Sequence, residues 1–135
     1  MILFEIDARL EKDSLFIADL ALSRLYLKND KENPWFVLVP RKINATELID
    51  LNLEEQCLLM KELSLVSNFL KLNNRPFKIN IGALGNIVRQ LHIHIIARYE
   101  SDRAWPDGLW GTSPKEFFTP IELENIKSNF IKFST

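Results

Sequence analysis

The chain has 135 residues, 47% hydrophobic and 26% charged, with a formal net charge of −1 at neutral pH. That length suits one globular domain over residues 1–135 with enough chain to bury a core, and the charge balance lacks the basic excess of a nucleic-acid binder. No run approaches the roughly 20 apolar residues that cross a bilayer, and the start, Met1 to Arg9, has neither the basic head nor the apolar core of a signal peptide. The expectation is a cytoplasmic protein without nucleic-acid or membrane partners. Cys57 is the one cysteine, so no intrachain disulfide can form, and it reads as a small buried hydrophobe.

In chain order, residues 7–13 are polar enough for a short surface helix. Leu15 to Ala18 and Leu22 to Lys28 read as strands separated by a bend near Asp19. The run from Lys28 to Pro34 is a turn by composition. Trp35 to Val39, aromatic and β-branched between Pro34 and Pro40, reads as a buried strand with Trp35 in the core. Asn52, with Glu55 three residues on, forms a capping box that starts a long helix. Its apolar face follows as Leu59, Leu63, Val66 and Leu70, and Asn73 to Pro76 ends it. Phe77 to Ile81 alternates as a strand, a loop with Gly82 and Gly85 follows, and Leu91 to Arg98 is the next strand. Ala104 to Pro114, rich in Trp, Pro and Gly, suggests no regular element. A last helix begins at Thr119, with Pro120 at its first position and Glu122 completing the cap. The sum is an α+β domain: an antiparallel sheet of about five strands, one long helix and a C-terminal helix.

The chemistry lies in Gln90-Leu91-His92-Ile93-His94-Ile95-Ile96. Alternate side chains of a strand point to opposite faces. Leu91, Ile93 and Ile95 therefore face the core, and Gln90, His92 and His94 line the other side, the two histidines about 7 Å apart by strand geometry. Three readings fit. Any half-exposed strand alternates in this way. A His-x-His pair can also supply two metal ligands, but no further histidine exists, Cys57 lies on the long helix, and Glu100 and Asp102 are weakly placed. The third reading is nucleophilic catalysis, because neutral imidazole attacks well near pH 7 and can carry a transferred group. The loop Asn80 to Val88, with Gly82, Gly85 and Asn86, offers backbone and amide N–H groups to a phosphate. Arg98 shares the histidine face and either meets a phosphate or forms a salt bridge.

The segment Gln90 to Ile96 resembles the histidine-triad family of nucleotide hydrolases and transferases. The family signature is His-φ-His-φ-His-φ-φ, with φ apolar, and every position but the first matches. Asn29, Pro34 and the strand ending at Pro40-Arg41 are similar to the family's ribose-contacting turn and the strand after it. Asn80-Ile81-Gly82 and Gly85 to Val88 look like its loop into the triad. The likeness covers about residues 15–100, and Trp105-Pro106 with Leu109-Trp110-Gly111 is similar to a bacterial branch that also has Gln at the first triad position.

The resemblance implies that His92 attacks the α-phosphorus of a nucleotide to give a nucleotidyl-histidine, later resolved by water or another acceptor. It implies that His94 bonds the phosphate or orients the site, with Gln90 the third member of the catalytic set. Asn29 and Asp30 would meet the ribose, and Asn80, Gly85 and Asn86 the phosphates. It further implies purine nucleotides as ligands, homodimers, and no cofactor or obligatory metal. Gln90 departs from the triad: its amide donates and accepts hydrogen bonds but shuttles no proton at neutral pH. The alternative function is therefore a catalytically silent nucleotide-binding module or sensor. Trp105 and Trp110 cover the nucleotide site or a dimer partner's surface, or simply pin their own loop.

Overall fold

The computed structural model describes residues 3–135. A short helix α1 (Ala8–Glu11) leads into strands β1 (Ser14–Asp19), β2 (Ser23–Lys28) and β3 (Trp35–Pro40). A single 3-10 turn (Leu48–Asp50) precedes the long helix α2 (Leu53–Asn74), then come β4 (Lys78–Gly82), β5 (Ile93–Arg98) and helix α3 (Pro120–Ser134). The sheet has five strands in the order β1-β2-β3-β5-β4, and each neighbouring pair is antiparallel. The chain crosses through α2 after β3, so the last strand inserts between β3 and β4. The expected α+β class holds.

Both capping boxes form as the sequence predicts. Asn52 accepts from the Glu55 amide and Glu55 from the Asn52 amide, and Thr119 and Glu122 do the same at α3. Each cap satisfies first-turn N–H groups that no helical carbonyl can reach. Leu59, Val66, Phe69 and Leu70 of α2 then pack with Phe130 of α3 on one face of the sheet, against Leu25, Leu27, Phe36, Leu38, Ile93 and Ile95. Phe69 lies edge-on to both Phe36 and Phe130, with ring centroids 5.9 Å and 5.2 Å away. Truncating a ring so enclosed costs about 3–5 kcal/mol.

Cys57 departs from expectation: it is exposed. Two residues along a helix turn the side chain by about 200°, so a face that buries Leu59 turns Cys57 outward.

The opposite face of the sheet carries Tyr26, Trp35, Val37, Val39 and Ile96, covered by Phe4, Ile6 and Leu10 from the N-terminal segment and by Leu109 and Trp110 from the long loop. The helices α2 and α3 therefore cover one face, and the loop and the N-terminal segment with α1 cover the other. His94 belongs to this second face. Strand β5 begins at Ile93 rather than Leu91. The Leu91 amide donates instead to the Ala45 carbonyl, 2.9 Å away, which leaves His92 at the mouth of the strand.

Candidate active site

His92 and His94 lie on one side of the chain as the alternation requires, and their rings lean together to a centroid separation of 4.9 Å, nearly edge to face. Both are buried. Their hydrogen bonds assign their tautomers. His92 Nδ1 lies 2.7 Å from the backbone carbonyl oxygen of Gln90. A carbonyl only accepts, so Nδ1 carries the proton and Nε2 keeps its lone pair. The neighbour is the reverse. The indole N–H of Trp35, a donor only, lies 2.9 Å from His94 Nδ1, so Nδ1 is the acceptor. The proton then sits on Nε2 and points to the Leu84 carbonyl, a long contact of 3.3 Å.

The electrostatics hold both rings neutral. Burial lowers the pKa of His92, and nearby Lys28 adds to this, against the raising effect of its bond to the Gln90 carbonyl. His94 is pushed down to about 4, chiefly by burial and then by His92 beside it. Lys28, itself lowered by burial, places its ammonium 4.3 Å from the centre of a Trp35 ring. This face thus offers one ring with a free lone pair beside one with a fixed N–H.

One cavity is lined by His92 and a second lies beyond Trp35 and Trp110. A cleft of about 300 Å³ includes His92, Gly85, Asn86, Arg89, Gln90 and Thr46 in its lining. Gly85 is required there: a Cβ would stand 2.6 Å from the Val88 carbonyl and 3.0 Å from His92 Cε1. On the far side of Trp35 and Trp110 lies a second cavity of about 340 Å³, lined among others by Asn29, Lys28, Asp30 and Arg103. Trp110 lines the second cavity and also meets His94. Its ring packs 5.5 Å from His94 and 6.0 Å from Trp35, and Gly82 and Gly108 leave the room it occupies.

The expected site residues separate into groups. His92, Gly85, Asn86 and Gln90 share the cleft, and Asn29 reaches the second cavity with its Oδ1 accepting from the Phe118 amide at 2.8 Å. Asp30 lines that cavity, but its carboxylate is committed to Arg103 at 2.8 Å and to the amides of Glu32 and Asn33. Asn80 lies outside both linings, because its Oδ1 accepts from Arg98 at 2.7 Å. Arg98 forms the salt bridge rather than meeting a phosphate. It is 1% exposed, paired with Asp102 at 2.8 Å, and donates to the Asp107 carbonyl at 2.6 Å. Burial works against the Asp102 carboxylate, but Arg98, Asn33 and neighbouring amides outweigh it and hold the pKa low. Trp105 packs on Phe77 and Arg98, pinning the loop, whereas Trp110 meets the histidine. No group of three or more His, Cys, Asp or Glu residues fit to hold a metal occurs among the described residues.

Sequence reasoning missed Trp35 as a partner of His94, and it missed Arg89 and Lys28. The available signal was chemical: a buried indole N–H needs an acceptor, and Trp35 sits on the strand beside the histidines.

The family model for the HIT domain matches residues 9–101. The chain belongs to the histidine-triad (HIT) family. A HIT protein of Bradyrhizobium japonicum superimposes with a TM-score of 0.91 at 41% identity, over 97% of this chain and 98% of that one. One from Sinorhizobium meliloti gives 0.90 at 41%, over 96% of each chain. One from Marinobacter aquaeolei gives 0.90 at 34%, over 97% and 96%. Curated proteins give no significant match. HIT membership places the chain among nucleotide-binding hydrolases and transferases, here with two histidines and Gln90 at the three triad positions. No helix among the described residues is long and apolar enough to cross a membrane.

Proposed function

We propose that the protein is a nucleotide hydrolase or nucleotidyl transferase that works through a covalent intermediate on His92. The observation that supports this most is the fixed tautomer: the Gln90 carbonyl takes the Nδ1 proton and leaves the Nε2 lone pair free beside a cleft lined by Gly85, Asn86 and Arg89. Nε2 attacks the α-phosphorus, the N–P bond forms, and the bond to the leaving group breaks with its electron pair. The ring becomes cationic, and the carbonyl that accepts from Nδ1–H stabilises that charge. His94 exchanges its long bond to Leu84 for a phosphoryl oxygen, donating from Nε2–H, and Arg89 adds positive charge. Water or another acceptor then attacks phosphorus and frees His92.

The nucleoside end is assigned to the cavity of Asn29, beyond Trp35 and Trp110, with a purine as the proposed base. Lys28 joins it as a cation for the nucleotide. Asp30 supports this wall through Arg103, and Asn80 holds Arg98 behind it. The working form is proposed to be a cytoplasmic homodimer of single-domain chains, which light scattering tests directly.

The test is release of nucleoside monophosphate, in chelator, from a dinucleoside polyphosphate, an acyl adenylate and an adenosine phosphoramidate. Wild type releases it and His92→Ala does not, while binding survives in the variant. Binding without release from any of the three would replace the enzyme with a silent nucleotide-binding module.

A further inference from the structure

Gln90 makes two side-chain bonds, and both go to the N-terminal segment. Its Oε1 accepts from the Asp7 amide at 2.8 Å, and its Nε2 donates to the Glu5 carbonyl at 2.8 Å. One amide thus grips the carbonyl before Ile6 and the N–H after it. Two parallel strands bond in the same way, with one residue's N–H and C=O meeting the partner's groups on either side of the facing residue. The side-chain amide stands in for a peptide unit. An imidazole has its two nitrogens on divergent sides of a ring, so one histidine cannot make both bonds to the same stretch of chain.

The gripped segment is anchored elsewhere too. Phe4, Ile6 and Leu10 pack on the apolar patch of Tyr26, Trp35, Val37 and Val39, and the Tyr26 hydroxyl donates to Glu11 at 3.2 Å. Asp7 also caps α1 by accepting from the Arg9 amide. Between this segment and residues 43–46 lies a cavity of about 730 Å³, and it shares Thr46 and Gln90 with the His92 cleft. The strap is therefore one wall of a space that adjoins the His92 cleft through Thr46 and Gln90, and Asn29 lines neither of the two. Its charged residues are Glu5 and Asp7, and no lysine or arginine is among the residues lining the cavity.

We propose that Gln90 is the clasp of an N-terminal strap that walls the leaving-group side of the site, and that position 90 governs selectivity through that strap. The assignment of the leaving-group side rests on the function proposed above. Gln90 is then a positioning residue. With Glu5 on its lining, Asp7 neutralised by the Arg9 guanidinium at 2.7 Å and no lysine or arginine lining it, the cavity suits an uncharged organic or amine leaving group and disfavours one carrying further phosphates.

The test uses Gln90→Ala, Gln90→His and Gln90→Glu, the last keeping the acceptor for Asp7 but losing the donor to Glu5. Hydrogen exchange over residues 4–11 reads the strap without any need for turnover. Losing both bonds is expected to speed exchange at Asp7 about ten- to a hundredfold in the Ala variant, and Gln90→Glu should fall between it and wild type. Unchanged protection in Gln90→Ala would overturn the clasp. Affinities for an adenosine phosphoramidate and a diadenosine polyphosphate, measured in a His92→Ala background, read the selectivity. Wild-type Gln90 is expected to favour the phosphoramidate, and releasing the strap should move the ratio about tenfold toward the polyphosphate. A freed strap with an unmoved ratio would overturn the selectivity role while leaving the nucleotide reading intact. Failure to bind either ligand would overturn both, with exchange still deciding the clasp.

Discussion

The indole N–H of Trp35 donates to His94 Nδ1 across 2.9 Å, and this bond decides which nitrogen of His94 can face a substrate. Because Trp is a donor only, the neutral ring must carry its proton on Nε2. Replacing Trp35 with Phe keeps most of the ring volume and removes the donor, leaving a buried acceptor without its partner. Stability should fall by about 1–3 kcal/mol, read by urea unfolding. Nitrogen chemical shifts of His94 should change from one tautomer to a mixture. A single Nε2–H tautomer in Trp35→Phe would show that the Leu84 contact alone fixes the ring.

The pH dependence of stability follows from the same ring. His94 has a pKa near 4 in the fold against 6.5 for an ordinary histidine. The unfolded chain therefore binds the proton more readily, so stability is full above pH 6.5 and falls as pH drops toward 4. The loss reaches about 3 kcal/mol for this group. Urea midpoints at pH 7 and pH 5 should differ in wild type, and less in His94→Asn. An equal pH dependence in both would remove His94 as the source.

His92 is lowered in the same direction by burial. Its free Nε2 thus survives mild acid, and the acid limb of kcat/KM for nucleotide cleavage should lie below 6.5. A limb above that value would mean that another group controls the rate.

Gly85→Ala tests how tightly the loop approaches the nucleophile. The added Cβ would meet the Val88 carbonyl at 2.6 Å and His92 Cε1 at 3.0 Å, so loop or ring must shift. Turnover should drop at least about tenfold, because small misplacements of reacting groups cost rate steeply. Circular dichroism should be unchanged. Full activity would show that the loop yields without moving His92.

Arg98 presents a buried ion pair rather than a substrate contact. Arg98→Ala leaves the Asp102 carboxylate buried and removes the donor to Asn80, and should cost about 3–5 kcal/mol. Thermal unfolding measures it, and a loss under 1 kcal/mol would mean that Asp102 finds other partners.

What the sequence determined is local. Asn52 with Glu55 and Thr119 with Glu122 announce their helices, since a cap needs only residues three apart. Alternation from Leu91 to Ile95 put His92 and His94 on one face, since strand period is a property of the backbone. The turn at Lys28 to Pro34 was legible from its composition, and the strand after it from its aromatic and β-branched residues. What the tertiary structure decided are the partners those residues meet. Trp35 lies 59 positions from His94, and Asp7 lies 83 from Gln90. No periodicity reports such distances, because they depend on which strands the sheet brings side by side. The tautomers of both histidines, the ion pair that occupies Arg98 and the strap held by Gln90 all arise there. A side chain's chemistry is set by the neighbour that takes its proton, and here folding alone chose those neighbours.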